Sequence, residues 1–324
     1  MRVMVTGGTG FIGGHVTRAL LEAGHEPVLL VRDATKLTRQ CELLELDPAR
    51  VASVTGDILD PESVRAALEG CDACVHAAAF TSLTPEDMPQ ALDVNAPGSR
   101  IVLDAAAEAG CDPIIAVSSM TVIFPPSGDR LSADDPVHTG GSPYLASKAE
   151  AEVHARSLQD RGAPVVTLYP AGVIGPLDLG VNVTEGIFAQ TLATEYLLVA
   201  ESGGNVYVDV RDLAVAITAM LVPGRGPRRY MAGGIFLTWS EFADAVDAVT
   251  GLVHTRAIST RAELEQQIEP DAVEIMLGIV PPDDDALHRD TGIEWRPFSD
   301  TLRDTVEWMV QQGRLDPKWA PAVV

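Results

Sequence analysis

Apolar residues in the first half of the chain come as short β-branched runs separated by longer stretches of helical spacing. Strands are predicted over 3–6, 28–31, 51–55, 73–76, 114–118 and 165–169, and helices over 11–23, 61–68, 88–109 and 143–161. Each predicted strand is nearly all apolar, as a sheet covered on both faces by helices requires. The alternation builds βαβ units, so the expected fold is α/β, a doubly wound parallel sheet of Rossmann type. After position 169 the pattern loosens into loops rich in Gly and Pro, with helices predicted over 184–198, 211–221, 240–249 and 298–312. The expected division is a sheet domain over 1–170, with 200–222 returning to it. A smaller, irregular C-terminal lobe of 171–199 and 223–324 would then cover the carboxyl edge of the sheet.

Where the first strand meets the first helix the chain reads Val3-Met-Val-Thr-Gly7-Gly-Thr-Gly10-Phe-Ile-Gly13. Gly7 permits the tight turn, Gly10 lets backbone approach a pyrophosphate, and Gly13 lets the helix pack closely on the strand. With a strand before it and a helix after it, this segment makes Gly7, Thr9, Gly10, Phe11, Ile12 and Gly13 candidate dinucleotide contacts. The second strand is followed at once by Arg32, with Lys36 one turn on. NAD sites commonly place a carboxylate here for the ribose hydroxyls, whereas a guanidinium suits a 2′-phosphate. NADP(H) is therefore preferred, NAD(H) stays open, and the alternative for Arg32 is a solvated residue paired with Asp33. Asp57 and Ile58, after the third strand, suit an adenine ring. Ala77, Ala78 and Ala79, after the fourth, are small enough to let the rest of the cofactor lie on the backbone. His76, inside that buried strand, reads as a satisfied core residue.

Candidate chemistry sits further along. Ser142-Pro143 is a helix start, and Tyr144 and Lys148 follow it four residues apart, on one face of the helix. A phenol has an ordinary pKa of about 10, and an adjacent ammonium favours its ionised form. Such a pair can hand a proton to a carbonyl oxygen or take one from an alcohol. Tyr-x-x-x-Lys alone arises often by chance, so its company matters: the fifth strand ends in Val117-Ser118-Ser119, where a hydroxyl can meet the phenol.

The ordered set of Gly7-x-x-Gly10-x-x-Gly13, His76-Ala-Ala, Ser119 and Tyr144-x-x-x-Lys148 resembles the extended short-chain dehydrogenase/reductase family, the NAD-dependent epimerase/dehydratase superfamily. Tyr169-Pro170-Ala-Gly-Val173-Ile-Gly-Pro176 and Val208-Asp-Val-Arg-Asp212-Leu-Ala look like two further motifs of it, and the resemblance spans nearly the whole chain. It implies Tyr144 as general acid/base and Lys148 as the residue that binds the nicotinamide ribose and lowers the phenol's pKa. Ser119 would bond the substrate oxygen, with Ser118 its neighbouring alternative, Asn95 would support the site, and Pro170 and Val173 would lie beside the nicotinamide. Arg32 directly after the second strand resembles the dihydroflavonol reductase and cinnamoyl-CoA reductase type. The segment after Ser119, Met120-Thr-Val-Ile-Phe124-Pro-Pro, lacks both the Tyr-Gly of the sugar-modifying branch and the acidic pair of the dehydratases. Association as a homodimer is the family's habit.

Composition narrows the partner. The formal charge is −23, from 46 acidic and 23 basic residues, which repels nucleic acid and anionic lipid. No run of about 18 apolar residues occurs, and the first predicted strand leaves no room for a signal peptide, so a soluble, cytoplasmic protein is expected. Four scattered cysteines are too few for a disulfide scaffold, and Cys71-Asp-Ala-Cys74 has no partner pair for a metal. Only Lys36, Lys148 and Lys318 are lysines, which singles out Lys148 as a place where a compact ammonium is wanted.

Between Arg161 and Arg211 there is no Lys or Arg, although a nucleotide-sugar pyrophosphate wants one; Arg225, Arg228, Arg229 and Arg256 come later. The expected substrate is a small ketone or aldehyde in a largely apolar pocket lined by Phe80, Thr81, Leu83, Phe124 and the 173–188 segment, including Phe188. The alternatives are a nucleotide-sugar epimerase or steroid-type dehydrogenase of the same family, and a non-catalytic NADP-binding regulatory protein.

Overall fold

The computed structural model describes residues 1–81, 89–180, 183–266, 268 and 270–323. β1 (Arg2–Thr6) leads into α1 (Phe11–Glu22), β2 (Glu26–Val31) into α2 (Ala34–Leu43), and β3 (Ala52–Thr55) into α3 (Pro61–Leu68). Then come β4 (Ala73–His76), α4 (Gln90–Glu108), β5 (Ile114–Val117), α5 (Pro143–Asp160) and β6 (Val165–Pro170). All the strands and helices predicted in this half are present; position 88, the predicted start of α4, lies outside the described residues. The reading missed α2, because this polar helix buries little beyond Gln40 and Cys41. Its start was legible at Asp33, whose side chain accepts from the Thr35 N–H at 2.8 Å.

The rest of the chain forms β7 (Gly172–Ile174), α6 (Val183–Leu192), β8 (Tyr196–Ala200), β9 (Gly204–Asp209), α7 (Val210–Ala219) and β10 (Arg228–Ala232). It continues through β11 (Ile235–Thr238), α8 (Trp239–Thr250), β12 (Thr255–Ser259), α9 (Arg261–Leu264), α10 (Pro270–Gly278), α11 (Asp285–Thr291) and α12 (Phe298–Gln311). The helix predicted over 184–198 stops at Leu192. Tyr-Leu-Leu-Val-Ala beyond it pairs in parallel with β12, where backbone pairing outweighs the helical pattern.

Among the described residues, seven strands make one parallel sheet in the order β10-β6-β5-β4-β1-β2-β3. Side chains alternate across it. Val3 and Val5 face a core packed by α1 and α7, while Met4 faces the core of α3, α4 and α5. Both faces are thus covered, which is why the strand sequences are apolar throughout. Strand order reverses between β1 and β4, and there the carboxyl ends open a crevice.

The expected division of the chain moves in two places. β10, placed by the sequence reading in the lobe, is the edge strand of the main sheet, paired with β6. β9, read as returning to the main sheet, pairs instead with β7 and β11 in a three-stranded sheet, while α7 after it packs on α1. Nothing local in either strand specifies its partner. The lobe's core is aromatic: Tyr207 stacks on Phe298 at 5.6 Å, and Phe188 meets Tyr207 edge-on at 5.9 Å.

Candidate active site

The crevice is a cleft of about 1100 Å³ that runs from the end of β2 across the carboxyl ends of β1, β4 and β5 to the lobe. At its floor Gly7 takes φ +74°, a left-handed conformation that glycine adopts without strain. A Cβ there would lie 2.7 Å from the Ala78 nitrogen, and one at Gly13 would lie 2.2 Å from the Gly7 carbonyl oxygen. The turn is thus packed backbone on backbone. α1 begins without a side-chain cap, so its first-turn N–H groups suit an anion. Thr9, Gly10, Phe11, Ile12 and Gly13 line this part of the cleft, with Ile58 and Ala77 to Ala79 opposite.

Arg32 and Lys36 stand at the β2 end. The Arg32 side chain is 74% exposed, and its ion pair is with Asp57 at a long 3.9 Å rather than with Asp33. Asp57 turns its other oxygen to the Leu59 N–H at 2.9 Å and is not among the described cleft-lining residues, whereas its neighbours Gly56 and Ile58 are.

Midway along the cleft, α5 presents Tyr144 and Lys148. Ser142 caps the helix by accepting from the Leu145 N–H, and Pro143 fills its first turn. The Tyr144 hydroxyl is hydrogen-bonded to Ser119; burial pushes its pKa up and this bond pulls it down. Lys148 is buried and donates to the Val117 carbonyl at 2.9 Å; desolvation lowers its pKa to about 8, against the pull of Glu152. The two neighbouring serines divide: Ser119 meets Tyr144, and Ser118 bonds to Glu152. Asn95 lies behind the wall rather than in it, bonded to both main-chain polar groups of Phe80 and to the Ser147 hydroxyl. His76 has both ring nitrogens engaged, by Thr6 at 2.7 Å and Ser99 at 2.9 Å, and burial lowers its pKa to about 3. It is a satisfied core residue.

At the lobe end the lining includes Phe80, Thr81, Met120, Pro170, Val173 and Thr184. Two expected substrate contacts lie elsewhere. Phe188, 2% exposed, is locked in the lobe's aromatic core. Phe124 is carried off by the turn that follows Ser119 and packs on Gly278 of α10. Leu83 lies outside the described residues. The sequence reading also missed Asp178, a 4% exposed acid at the lobe wall. Its carboxylate accepts from the Gly180 N–H at 3.1 Å. Among the described residues the cations lining the cleft are Arg32, Lys36 and Lys148. The later arginines are held away from it: Arg225 by Asp290, Arg228 by the Gly226 carbonyl, Arg229 by Asp134, and Arg256 by Asp244 and Asp247.

A glycine turn at the switch point of a doubly wound sheet, with serine, tyrosine and lysine converging at the next strand's end, defines the short-chain dehydrogenase/reductase class. The chain belongs to the NAD dependent epimerase/dehydratase family, whose model matches residues 3–233, and so to the extended branch of that class. Members of that branch are NAD(P)-dependent oxidoreductases, epimerases and dehydratases. Among relatives, the chain is 30% identical to the sterol demethylase protein B of Methylococcus capsulatus over 78% of its own length and 75% of the relative's. It is 28% identical to cinnamoyl-CoA reductase 1 of Oryza sativa subsp. japonica over 97% and 91%. A UDP-glucose-4-epimerase structure from Stenotrophomonas maltophila with bound NAD and formylated UDP-arabinopyranose superposes with a TM-score of 0.80 at 23% identity, covering 97% of this chain and 99% of that one, a likeness of fold.

Proposed function

We propose that the protein is an NADPH-dependent oxidoreductase that reduces a ketone or aldehyde of a largely apolar small molecule, with Tyr144 as general acid/base. The observation that carries this reading is the distribution of charge in the cleft. Its described cations sit where a 2′-phosphate and a nicotinamide ribose would lie, and the lobe end, where a nucleotide sugar would need its pyrophosphate met, has none.

The cofactor's fit rests on the backbone-packed glycine turn, the uncapped start of α1, the small Ala77 to Ala79 wall and the loosely paired Arg32. When bound, a reduced nicotinamide supplies a hydride. Tyr144 delivers a proton to the carbonyl oxygen, and burial, which keeps its phenol protonated, suits that direction. Ser119 orients the same oxygen through its hydroxyl, and Lys148 holds the ribose. Phe80 and Val173 keep water from the reacting centre.

A steroid-type dehydrogenase is the second reading, favoured by the name of the Methylococcus relative and compatible with the same apolar wall. A purely regulatory protein has no need of Tyr144 and Lys148 converging as they do. Homodimerisation goes with the reading as the family's habit, which light scattering tests, and a cytoplasmic location goes with it as expected from the sequence. Among the described residues no helix is long and apolar enough to cross a membrane.

The test is to follow NADPH consumption by the purified protein with a panel of aromatic, aliphatic and steroid ketones and aldehydes. Turnover with apolar carbonyls, faster with NADPH than with NADH, is expected. Retention of NAD through purification, with interconversion of nucleotide sugars and no net consumption, would overturn the reading.

A further inference from the structure

Glu152 is a buried carboxylate on the catalytic helix that the chemistry above leaves unused. It follows Tyr144 and Lys148 at the same four-residue interval, so the three side chains share one face of α5. At 2% exposure it cannot be a solvated surface acid. Its Oε1 accepts a 2.5 Å hydrogen bond from the Tyr169 hydroxyl and a 3.1 Å one from Arg156 Nε, and its carboxyl also bonds Ser118. Arg156 donates in turn to the Tyr169 hydroxyl and the Asp135 carbonyl, each at 3.0 Å. One carboxylate therefore fastens α5 to the ends of β5 and β6, the strands that lead into Ser119 and Pro170.

The surroundings of Lys148 make a second, electrostatic observation. From β5 it meets the Val117 carbonyl, and from β4 it is faced by His76, held neutral between Thr6 and Ser99. On its own helix it has the phenol of Tyr144 one turn before and Glu152 one turn after. Burial draws the ammonium down to about 8 and Glu152 pulls it back up; burial raises the pKa of Glu152 itself, and its bonds to Tyr169, Arg156 and Ser118 oppose that rise and favour the carboxylate. Arg156, one turn beyond, partners Glu152 and offsets part of its charge.

We propose that Glu152 is a positioning residue of the active site: its carboxylate seats Ser118 and Tyr169 against α5 and supplies the counter-charge that keeps Lys148 ionised in a buried place. The importance of that charge rests on the role given to Lys148 above, but the test needs neither substrate nor cofactor, so the two stand or fall separately.

The chain has only Lys36, Lys148 and Lys318, so protein labelled with 13C at lysine Cε gives few signals, and Lys148→Met identifies the buried one. Its titration is then read by NMR. Glu152→Gln should lower the midpoint by about one unit or more, the effect of removing an opposite charge within one helical turn. Glu152→Asp, which keeps the charge, should recover most of the shift, a rescue that a purely structural role does not require. A midpoint unmoved by Glu152→Gln overturns the proposal. If that variant does not fold, Glu152→Gln combined with Arg156→Gln removes the ion pair as a unit, a change buried pairs tolerate better. A fall of at least about half a unit is expected there, because Glu152 is one helical turn from Lys148 and Arg156 is two; no fall overturns the proposal equally.

Discussion

Asn95 grips the main chain of Phe80 at both of its polar groups. The Phe80 N–H donates to Asn95 Oδ1 at 2.6 Å, and Asn95 Nδ2 donates to the Phe80 carbonyl at 3.0 Å. A third bond, from Nδ2 to the Ser147 hydroxyl at 3.0 Å, ties this grip to the helix of Tyr144 and Lys148. The main chain at Phe80 is thus tied to α4 and, through Ser147, to α5. Asn95→Ala should raise KM for the carbonyl substrate more than it lowers kcat, with a loss in kcat/KM of about tenfold or more from misplacement of the wall. Steady-state kinetics decide; an unchanged KM would show that the wall holds without it.

Tyr144→Phe removes the proposed proton donor and keeps the ring. Turnover should fall by about 10² to 10⁴, the usual contribution of a positioned general acid. NADPH affinity and the thermal midpoint should stay close to wild type, because among the described residues the hydroxyl bonds Ser119, a contact within the cleft. Wild-type turnover with a confirmed substrate would refute the assignment.

Arg32 meets a carboxylate only at 3.9 Å and is mostly exposed, so replacing it disturbs little in the fold. Arg32→Glu should weaken NADPH at least about tenfold, the loss of one charge-assisted pair, while leaving NADH equal or tighter. Fluorescence titration of both reduced cofactors measures this. Wild-type protein that bound NADH as tightly as NADPH would defeat the cofactor preference.

Gly13→Ala places a methyl 2.2 Å from the Gly7 carbonyl oxygen, which is backbone and cannot swing aside. The turn must move, so binding of either dinucleotide should fall at least about tenfold and the thermal midpoint should drop by several degrees, as for an overpacked site. Unaltered cofactor affinity would mean that the turn does not hold the cofactor.

Acid should destabilise the protein through two buried histidines. Burial lowers the pKa of His76 to about 3 and of His15 to about 4 from an ordinary 6.5. Their depressed values contribute stability that is full above pH 6.5 and lost as pH falls toward 4 and then 3, because the unfolded chain takes up the protons first. At pH 5 the loss is about 2 kcal/mol for each. Urea unfolding at pH 7 and pH 5 measures it, and His76→Gln should flatten the dependence; an equal pH dependence in that variant would count against the buried neutral imidazole.

Much of the site was readable along the chain because its parts sit at strand ends or in the first turns of a helix, where short motifs carry them. Gly7 to Gly13, Ala77 to Ala79 and Ser119 follow directly on predicted strands, and the Tyr144–Lys148 pair opens a predicted helix. Glu152 was also within reach, since it continues the four-residue interval, but a glutamate on a helix ordinarily reads as solvated until its burial is known. Phe124 and Phe188 went the other way: an aromatic residue in the lobe has the same composition whether it lines a cleft or fills a core, and only packing tells the two apart.

The sequence by itself determined the βαβ order, the parallel sheet, the glycine turn and the pairing of Tyr144 with Lys148 on one helix face, because each depends on local periodicity or on residues a few positions apart. The tertiary structure decided which strand neighbours which, as with β10 joining the main sheet and β9 leaving it, since backbone hydrogen bonding carries no residue label. It also decided the charge of the cleft. In the sequence Arg225, Arg229 and Arg256 are cations without partners; the fold seats each against an acid far along the chain or across a turn, and the lobe end of the cleft is left without a described cation.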